Sequence, residues 1–215
     1  MKDIAIYGAG GFGREVACLI DLINRIQGET WNLIGFFDDN IPKHTPVSHY
    51  GLCLGGISSV NDYPAELHIT IAIGNHHVVQ SIADKITNPF IRFPNVIHPD
   101  IRISDTATFQ IGKGNIIQGH CTMSCNVTIG DFNILNGSIV LGHDVQIGSF
   151  NTMMPGVRIS GEVTVGNHNF FGVNSIVLQQ LKIGKNFKLG AGSVLMTKPK
   201  DNMLYIGNPA KIFRY

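Results

Sequence analysis

The 215-residue chain is 44% hydrophobic and 14% charged, with a formal net charge of +1 and 25 glycines. This neutral balance argues against nucleic acid as the main partner. Low charge with abundant glycine favours a turn-rich or repetitive fold over a helical bundle. No apolar segment approaches the length of a membrane span or of a secretory signal core, so we expect a cytoplasmic protein that makes no membrane contact.

Residues 1–96 alternate apolar strands, glycine turns and helices, the pattern of a small parallel α/β domain. Residues 40–60 contain two prolines and three glycines and indicate a loop with room for one short strand. The predicted elements are a strand at Ile4–Tyr7, a helix from about Gly13 to Ile26, strands at Leu33–Phe37 and Ile69–Ile73, and a helix that ends near Ile86.

A glycine motif, Gly8-x-Gly10-x-x-Gly13, follows the first strand. It matches the dinucleotide-binding fingerprint, and backbone amides at such a helix start favour a phosphate. Three strands make only half of a dinucleotide-binding fold, and the acidic pair Asp38-Asp39 ends the second strand 25 residues past Gly13. The motif therefore favours a mononucleotide or a nucleotide-sugar diphosphate over NAD, and a tight turn without a ligand remains the alternative.

From residue 97 onward the chain is repetitive. Every sixth residue from Ile111 to Leu195 is apolar, fifteen positions in all. At 44% hydrophobic composition, one chosen phase would do this by chance about once in 10^5. The fifteen are Ile111, Ile117, Met123, Ile129, Leu135, Leu141, Ile147, Met153, Ile159, Val165, Phe171, Val177, Ile183, Leu189 and Leu195.

A second period of 18 residues lies on top of the first. The dipeptide Ile/Val-Gly recurs at this step from Ile111 to Gly184, and asparagine recurs at 115, 133, 151 and 169. We predict one triangular coil of three short strands per 18 residues, with glycine taking the backbone angles of the corners and the asparagines stacked inside. Ile97 and Ile103 are two residues out of phase, which predicts an insertion near Phe109.

Histidine is the usual general base for acyl transfer near neutral pH. Of the nine histidines, His143 stands apart, because it occupies the third place of its hexad and Asp144 follows it directly. His120 and His168 occupy the fourth place. One coil after His143 lies Gly161, which we expect to leave space beside the imidazole. Adjacent strand residues point to opposite faces, so the pair cooperates only if the chain bends there, and a corner histidine without a role remains the alternative.

The sequence resembles the family of sugar acetyltransferases that includes sialic acid O-acetyltransferase and the bacterial N-acetyltransferase of UDP-4-amino sugars (the bacillosamine pathway). The resemblance spans nearly the whole chain. It is carried by the segments Tyr7–Gly13, Phe37–Asp39, Ile71–Asn75, Leu135-Asn136, Gly142–Asp144 and Gly207–Lys211.

The family implies a Rossmann-like α/β half-domain (1–96), a left-handed parallel β-helix of hexapeptide repeats (97–198) and a C-terminal tail (199–215). It also implies a homotrimer that uses acetyl-CoA. No metal is expected, because the spacing of Cys18, Cys53, Cys121 and Cys125 matches no common zinc site. The left hand comes from the resemblance alone, since ordinary parallel crossovers are right-handed.

The resemblance assigns roles to residues of this chain. His143 is the expected base and Asp144 its partner. The expected substrate-binding residues are Gly8, Gly10, Gly11, Phe12, Gly13, Asp38, Asp39, Gly74, Asn75 and Asn136. The expected acetyl-CoA-binding residues are Gly161, Gly172, Ala191 and Lys211. Phe12 and Thr152 stand where the family carries histidines, and Asp144 where the bacillosamine enzyme carries glutamate, so the substrate stays open.

The leading functional prediction is N-acetylation of a nucleotide-linked amino sugar for surface-glycan biosynthesis, with backbone amides near Gly161 stabilising the oxyanion. Alternatives are O-acetylation of a sialic acid or another sugar hydroxyl, and a non-catalytic sugar-nucleotide-binding scaffold. An NAD-dependent oxidoreductase is suggested only by the glycine motif.

Overall fold

The computed structural model describes residues 1–214 and divides into two compact units. The first comprises Met1–Pro99 with Gly114–Ile116, and the second comprises Asp100–Lys113 with the chain from Ile117 onward. The elements up to residue 97 are β1 (Lys2–Tyr7), α1 (Gly11–Gln27), β2 (Trp31–Phe37), α2 (Ile57–Asn61), β3 (Leu67–Ile71), α3 (His76–Lys85), β4 (Ile91–Arg92) and β5 (Val96–Ile97).

The first unit is built on a parallel sheet of order β2-β1-β3-β4. Ile4 and Ile6 of β1 are fully buried, and α1 packs Val16 and Ile20 against them. α1 forms because its apolar residues recur at helical spacing on one face. Among the described helices, none combines the length and the apolar character that crossing a bilayer requires.

The three predicted strands and two predicted helices are confirmed, with β3 lying two residues earlier than expected. β4 was not predicted, because its two residues follow Pro89 too closely to form a recognisable apolar run. Residues 40–60 hold isolated bridges, Phe36 to Cys53 and Pro46 to Leu52, and the start of α2 in place of a strand.

The second unit contains a left-handed β-helix of about six turns. In most coils, each strand pairs in parallel with the strand one turn later on the same face. Ile129 pairs with Ile147, for example, and Ile147 with Val165. The strands from residue 102 onward are β6 (Arg102–Ile103), β7 (Gln110–Ile111), β8 (Ile116–Ile117), β9 (Thr122–Met123), β10 (Thr128–Ile129), β11 (Ile134–Leu135), β12 (Val140–Leu141), β13 (Gln146–Ile147), β14 (Thr152–Met153), β15 (Arg158–Ile159), β16 (Thr164–Val165), β17 (Phe170–Phe171), β18 (Ile176–Val177), β19 (Lys182–Ile183), β20 (Lys188–Leu189), β21 (Val194–Leu195), β22 (Leu204–Gly207) and β23 (Ala210–Ile212).

The interior of the β-helix follows the six-residue pattern. Of the fifteen predicted inward residues, Ile111 is partly buried and the others are buried. The predicted asparagine ladder is also present: Asn133 Oδ1 accepts from Asn151 Nδ2 at 3.0 Å, and Asn151 Oδ1 accepts from Asn169 Nδ2 at 3.0 Å. These bonds satisfy amide groups that are closed off from water.

The prediction that glycine takes the corner angles is confirmed at Gly114, Gly156 and Gly192, with φ of 69°, 76° and 65°. It is wrong for the glycines of the Ile/Val-Gly pairs, which have no positive φ. At most corners the left-handed backbone, at the fourth place of the hexad, is adopted by non-glycine residues such as Asn126 (φ 56°), Asp144 (φ 58°) and Glu162 (φ 60°). The paired glycines serve close packing between coils. A Cβ on Gly130 would lie 2.7 Å from the carbonyl oxygen of Gly148, and one on Gly148 2.7 Å from that of Gly166.

The predicted insertion near Phe109 is confirmed. Ile103 of β6 pairs with Met123, twenty residues later, whereas Leu141 of β12 pairs with Ile159, eighteen later. At the other end, the residues predicted as a tail include a hairpin of β22 and β23. β22 extends one face of the β-helix, with Tyr205 beside Leu189.

Candidate functional site

The glycine turn after β1 is built from close backbone contacts. Gly8 has φ 109°, and a Cβ there would lie 2.7 Å from the carbonyl oxygen of Ala72. A Cβ on Gly13 would collide with the carbonyl oxygen of Gly8. These two glycines allow β1 to turn directly into α1 beside the end of β3, which is a structural reason for the motif independent of any ligand.

The start of α1 presents backbone amides to solvent. Gly10 is the N-cap and provides no side-chain cap, and the first turn contains no acid. Gly10 and Gly11 are exposed, with open space where a Cβ would stand. Unsatisfied amides and the positive end of the helix dipole favour an anion at this point. Phe12, predicted to contact substrate, is half-buried and packs partly on the hydrophobic core.

The acidic pair after β2 is already engaged within the first unit. Asp38 Oδ2 accepts from the backbone N–H of Ala9 at 2.9 Å, so this carboxylate braces the glycine turn. Asp39 Oδ2 accepts from the Tyr7 hydroxyl at 2.7 Å, and its Oδ1 accepts from the N–H of Ile57 at 2.9 Å. Burial and the bond to Asp39 raise the pKa of Tyr7 above its ordinary value. Asp39 therefore links β1 to the start of α2.

Gly74 and Asn75 lie between β3 and α3. Gly74 is exposed with open space around it, and Asn75 caps α3 by accepting from the N–H of His77 at 3.0 Å. The structure thus gives Asn75 a local capping role, and both residues lie after β3, as Gly8 to Gly13 lie after β1.

His143 and Asp144 form a close pair in the second unit. His143 Nδ1 and Asp144 Oδ2 are 2.7 Å apart, and both side chains are about half exposed. The two side chains meet because Asp144 adopts the left-handed conformation of the corner. This is the chain bend that the pairing of His143 with Asp144 was predicted to require. The hydrogen bond from His143, followed by one from Asn126, holds the pKa of Asp144 below its usual value. An ionised carboxylate only accepts, so Nδ1 donates, and in the neutral imidazole Nε2 then carries the lone pair.

Gly161 is the residue that faces the imidazole from the next coil. A Cβ on Gly161 would lie 2.5 Å from His143 Nε2 and 2.7 Å from Cε1. A side chain at this position would therefore displace the ring or cover Nε2. The absence of one leaves the unprotonated nitrogen accessible, as the stacking of coils predicts.

The remaining predicted residues of the second unit are not all brought together. Asn136 Nδ2 donates to the carbonyl oxygen of Met153 at 3.0 Å, which holds it against the next coil. A Cβ on Gly172 would lie 2.5 Å from the N of Ala191, so these two stack. Lys211 is exposed on β23, paired with Ile206.

The other two histidines of the β-helix, His120 and His168, have environments that can be compared with that of His143. His120 forms a second histidine–carboxylate pair, with Nδ1 2.8 Å from Asp100 Oδ2, while His168 stacks on Phe150 at 5.2 Å. Pairing with an acid is therefore not unique to His143, whereas a facing glycine distinguishes it. The sequence analysis also missed Asn126, whose Nδ2 donates to Asp144 Oδ1 at 2.9 Å. The 18-residue step would have placed it there.

Comparison with known proteins agrees with this architecture. Residues 3–86 match the family described as PglD N-terminal domain. A search of curated protein sequences found no match.

Solved structures match over nearly the whole chain. The acetyltransferase domain of PglB from Neisseria gonorrhoeae is 25% identical, with a TM-score of 0.87 over 99% of this chain and 100% of that one, and it is also known in complex with acetyl coenzyme A. WeeI from Acinetobacter baumannii is 26% identical, with a TM-score of 0.87 over 99% and 100% of the two chains. PerB from Caulobacter crescentus, in complex with CoA and GDP-perosamine, is 25% identical, with a TM-score of 0.84 over 100% and 98%.

Proposed function

Because residues 3–86 match the PglD N-terminal domain family and the whole chain is similar in fold to the acetyltransferase domain of PglB and to PerB, we propose that it is an amino-sugar acetyltransferase, which transfers the acetyl group of acetyl-CoA to the amine of a nucleotide-linked sugar. The product would serve surface-glycan biosynthesis. The acetyl coenzyme A bound to the PglB domain supports the donor. GDP-perosamine, a nucleotide-linked amino sugar bound to PerB, supports the acceptor.

The observation that carries the mechanism is the His143–Asp144 pair facing Gly161. With Nδ1 donating to Asp144, Nε2 is free to take the proton of the amine as its nitrogen attacks the thioester carbonyl. The C–N bond forms, the C–S bond breaks, and His143 returns the proton to the leaving thiolate. No covalent enzyme intermediate is required, and backbone amides near Gly161 are the proposed oxyanion donors.

The first unit is proposed to hold the nucleotide. The exposed amides at Gly10 and Gly11 fit a diphosphate. Asp38 and Asp39 would orient the turn and approach the ribose or base, and Gly74 and Asn75 are further proposed substrate contacts of this unit. In the second unit, Asn136 is a proposed substrate contact. Gly161, Gly172, Ala191 and Lys211 are the proposed contacts of acetyl-CoA.

A homotrimer in the cytoplasm is also proposed, on the family resemblance. Leu178 and Met196 are both exposed, and they follow the paired strands β18 and β21 in consecutive coils. This apolar pair is the kind of surface that association of identical chains would cover.

The function is tested by a screen of UDP-, GDP- and dTDP-linked amino sugars, and their hydroxy counterparts, with acetyl-CoA. We expect thiol release with an amino sugar and a product that carries one acetyl group on nitrogen. A product acetylated on oxygen would replace the N-acetyltransferase by the O-acetyltransferase, and binding without release would indicate the non-catalytic scaffold.

With the substrate in hand, His143→Ala should lower kcat by about 10^2- to 10^4-fold, the usual contribution of a positioned general base. His120→Ala is the matched control, because it removes the other exposed histidine paired with an acid. We expect this control to keep wild-type turnover. Wild-type turnover in His143→Ala would exclude His143 as the base and direct attention to His120 and His168.

A further inference from the structure

One corner of the β-helix carries a column of polar side chains one coil apart. Asn126 lies eighteen residues before Asp144, and its amide Nδ2 donates to Asp144 Oδ1 at 2.9 Å. The other carboxylate oxygen of Asp144, Oδ2, is the one that lies 2.7 Å from His143 Nδ1. We infer that Asn126 is a positioning residue for His143, acting through Asp144. This inference rests on the proposed role of His143 as the base.

The need for such a residue follows from the exposure of the pair. An exposed aspartate has a broad χ2 torsion and exchanges its oxygens between water and neighbouring donors. A donor fixed on Oδ1 leaves Oδ2 as the oxygen that faces the imidazole. The imidazole then holds its proton on Nδ1 and keeps Nε2 as the acceptor, the state that proton removal requires.

Asn126 is itself held firmly. Its backbone has φ 56°, and its N–H donates to Thr108 Oγ1 at 2.9 Å. The Thr108 hydroxyl donates in turn to Asp105 Oδ2 at 2.8 Å, and Asp105 Oδ1 accepts from the N–H of Ala107 at 3.0 Å. A hydrogen-bonded path therefore leads from the segment before β7 to Asp144.

The hydrogen bond from Asn126 has a chemical effect besides orientation. It is the second of the interactions, after the bond from His143, that keep the pKa of Asp144 below its usual value. Both hydrogen bonds therefore favour the ionised form of Asp144, the form that accepts from two donors. The neighbouring titratable groups on this corner are Cys125 in the preceding coil and Glu162 in the following one, the latter paired with Gln180 Nε2 at 3.3 Å.

The inference is tested with Asn126→Gly, because glycine accepts the left-handed backbone while removing the amide. Asn186→Gly is the matched control: Asn186 is also left-handed, with φ 54°, and its Nδ2 donates to Asn202 Oδ1 at 2.9 Å. We expect Asn126→Gly to lower kcat by about 3- to 30-fold, less than the roughly 10- to 150-fold that a hydrogen bond to a charged group is worth, because this bond is exposed to solvent. KM for acetyl-CoA and the melting temperature should change no more than in the control.

A second measurement separates positioning from simple loss of structure. In an Asp144→Asn background, adding Asn126→Gly should cause no further fall in kcat, since the carboxylate through which Asn126 acts is already absent. If the two losses multiply, or if Asn126→Gly alone retains wild-type kcat, the positioning role is refuted. His143→Ala in the same assay distinguishes this failure from the other: if that variant is active, the base assignment itself has failed.

Discussion

At the scale of single residues, the feature that matters most is the left-handed corner at Asp144. A non-glycine residue in this conformation costs about 1–2 kcal/mol, and here the conformation turns Asp144 back towards the side chain before it. In a regular strand the two side chains would point to opposite faces. The corner thus converts neighbours in sequence into the 2.7 Å pair.

A second residue-scale consequence concerns Cys121, which is fully buried inside the β-helix. Burial raises the pKa of Cys121 to about 11. A group whose pKa is raised in the folded state contributes stability below its unfolded pKa and loses it as pH rises through the folded value. We expect the free energy of unfolding to fall between about pH 9 and 11.

Cys121→Val isolates this effect, since Val157 occupies the same place two coils later and is also fully buried. Urea unfolding at several alkaline pH values should show a shallower decline in the variant than in the wild type. Parallel declines would mean that the thiol does not titrate in this range, and that groups such as Tyr7 account for the loss.

At the scale of elements, the glycines of the Ile/Val-Gly pairs set the distance between coils. A Cβ on Gly148 would lie 2.7 Å from the carbonyl oxygen of Gly166, and backbone cannot move aside. We expect Gly148→Ala to destabilise the protein by about 1–3 kcal/mol, the usual range for overpacking. Gly137→Ala is the control, because its Cβ would be 3.4 Å from the nearest atom. Equal unfolding midpoints for the two variants would contradict this account.

The start of α1 is the second element with a testable role. Nothing lies within 4 Å of a Cβ placed on Gly10, and its φ of −76° suits any residue. Gly10→Leu should therefore fold normally while its side chain obstructs an anion at the helix start. We expect a raised KM for the sugar nucleotide and an unchanged KM for acetyl-CoA. Equal increases in both constants would refute the assignment of the nucleotide to the first unit.

The elements also show where sequence reasoning succeeds. Long periodic signals, such as fifteen apolar hexad positions or the amphipathic α1, were sufficient because burial enforces them. Short elements such as β4 carry too few residues to form a pattern. Most corner angles were misassigned because a recurring glycine has two possible causes, backbone freedom and close approach, and only the structure separates them.

The candidate site divides in the same way. His143, Asp144 and Gly161 could be linked from the 18-residue step and the resemblance. Asn126 escaped notice because nothing in its own hexad marks it as different from other corner asparagines. Its importance comes from the neighbour one coil away, which is a property of the stack.

At the scale of the whole molecule, two exposed apolar side chains of the β-helix bear on assembly. Leu178 and Met196 are 38% and 43% exposed and follow paired strands of consecutive coils, so they offer an apolar surface that association could cover. We expect sedimentation at micromolar concentration to give the mass of three chains, and Met196→Glu to shift it towards one. A wild-type monomer would count against the trimer and against any acetyl-CoA site shared between chains.

The two extra residues before β7 have a consequence for the whole β-helix. In a perfectly periodic β-helix, a strand could shift its register by one coil and still bury the same kinds of side chain. The two-residue insertion between Ile103 and Ile111 breaks this repeat at one position and so distinguishes one register from the others. Thr108 lies in that segment and accepts a hydrogen bond from the N–H of Asn126. The Asn126 side chain in turn donates to Asp144, one coil further along. The insertion thereby helps to fix the coil in which the proposed base, His143, lies within an otherwise repeating structure.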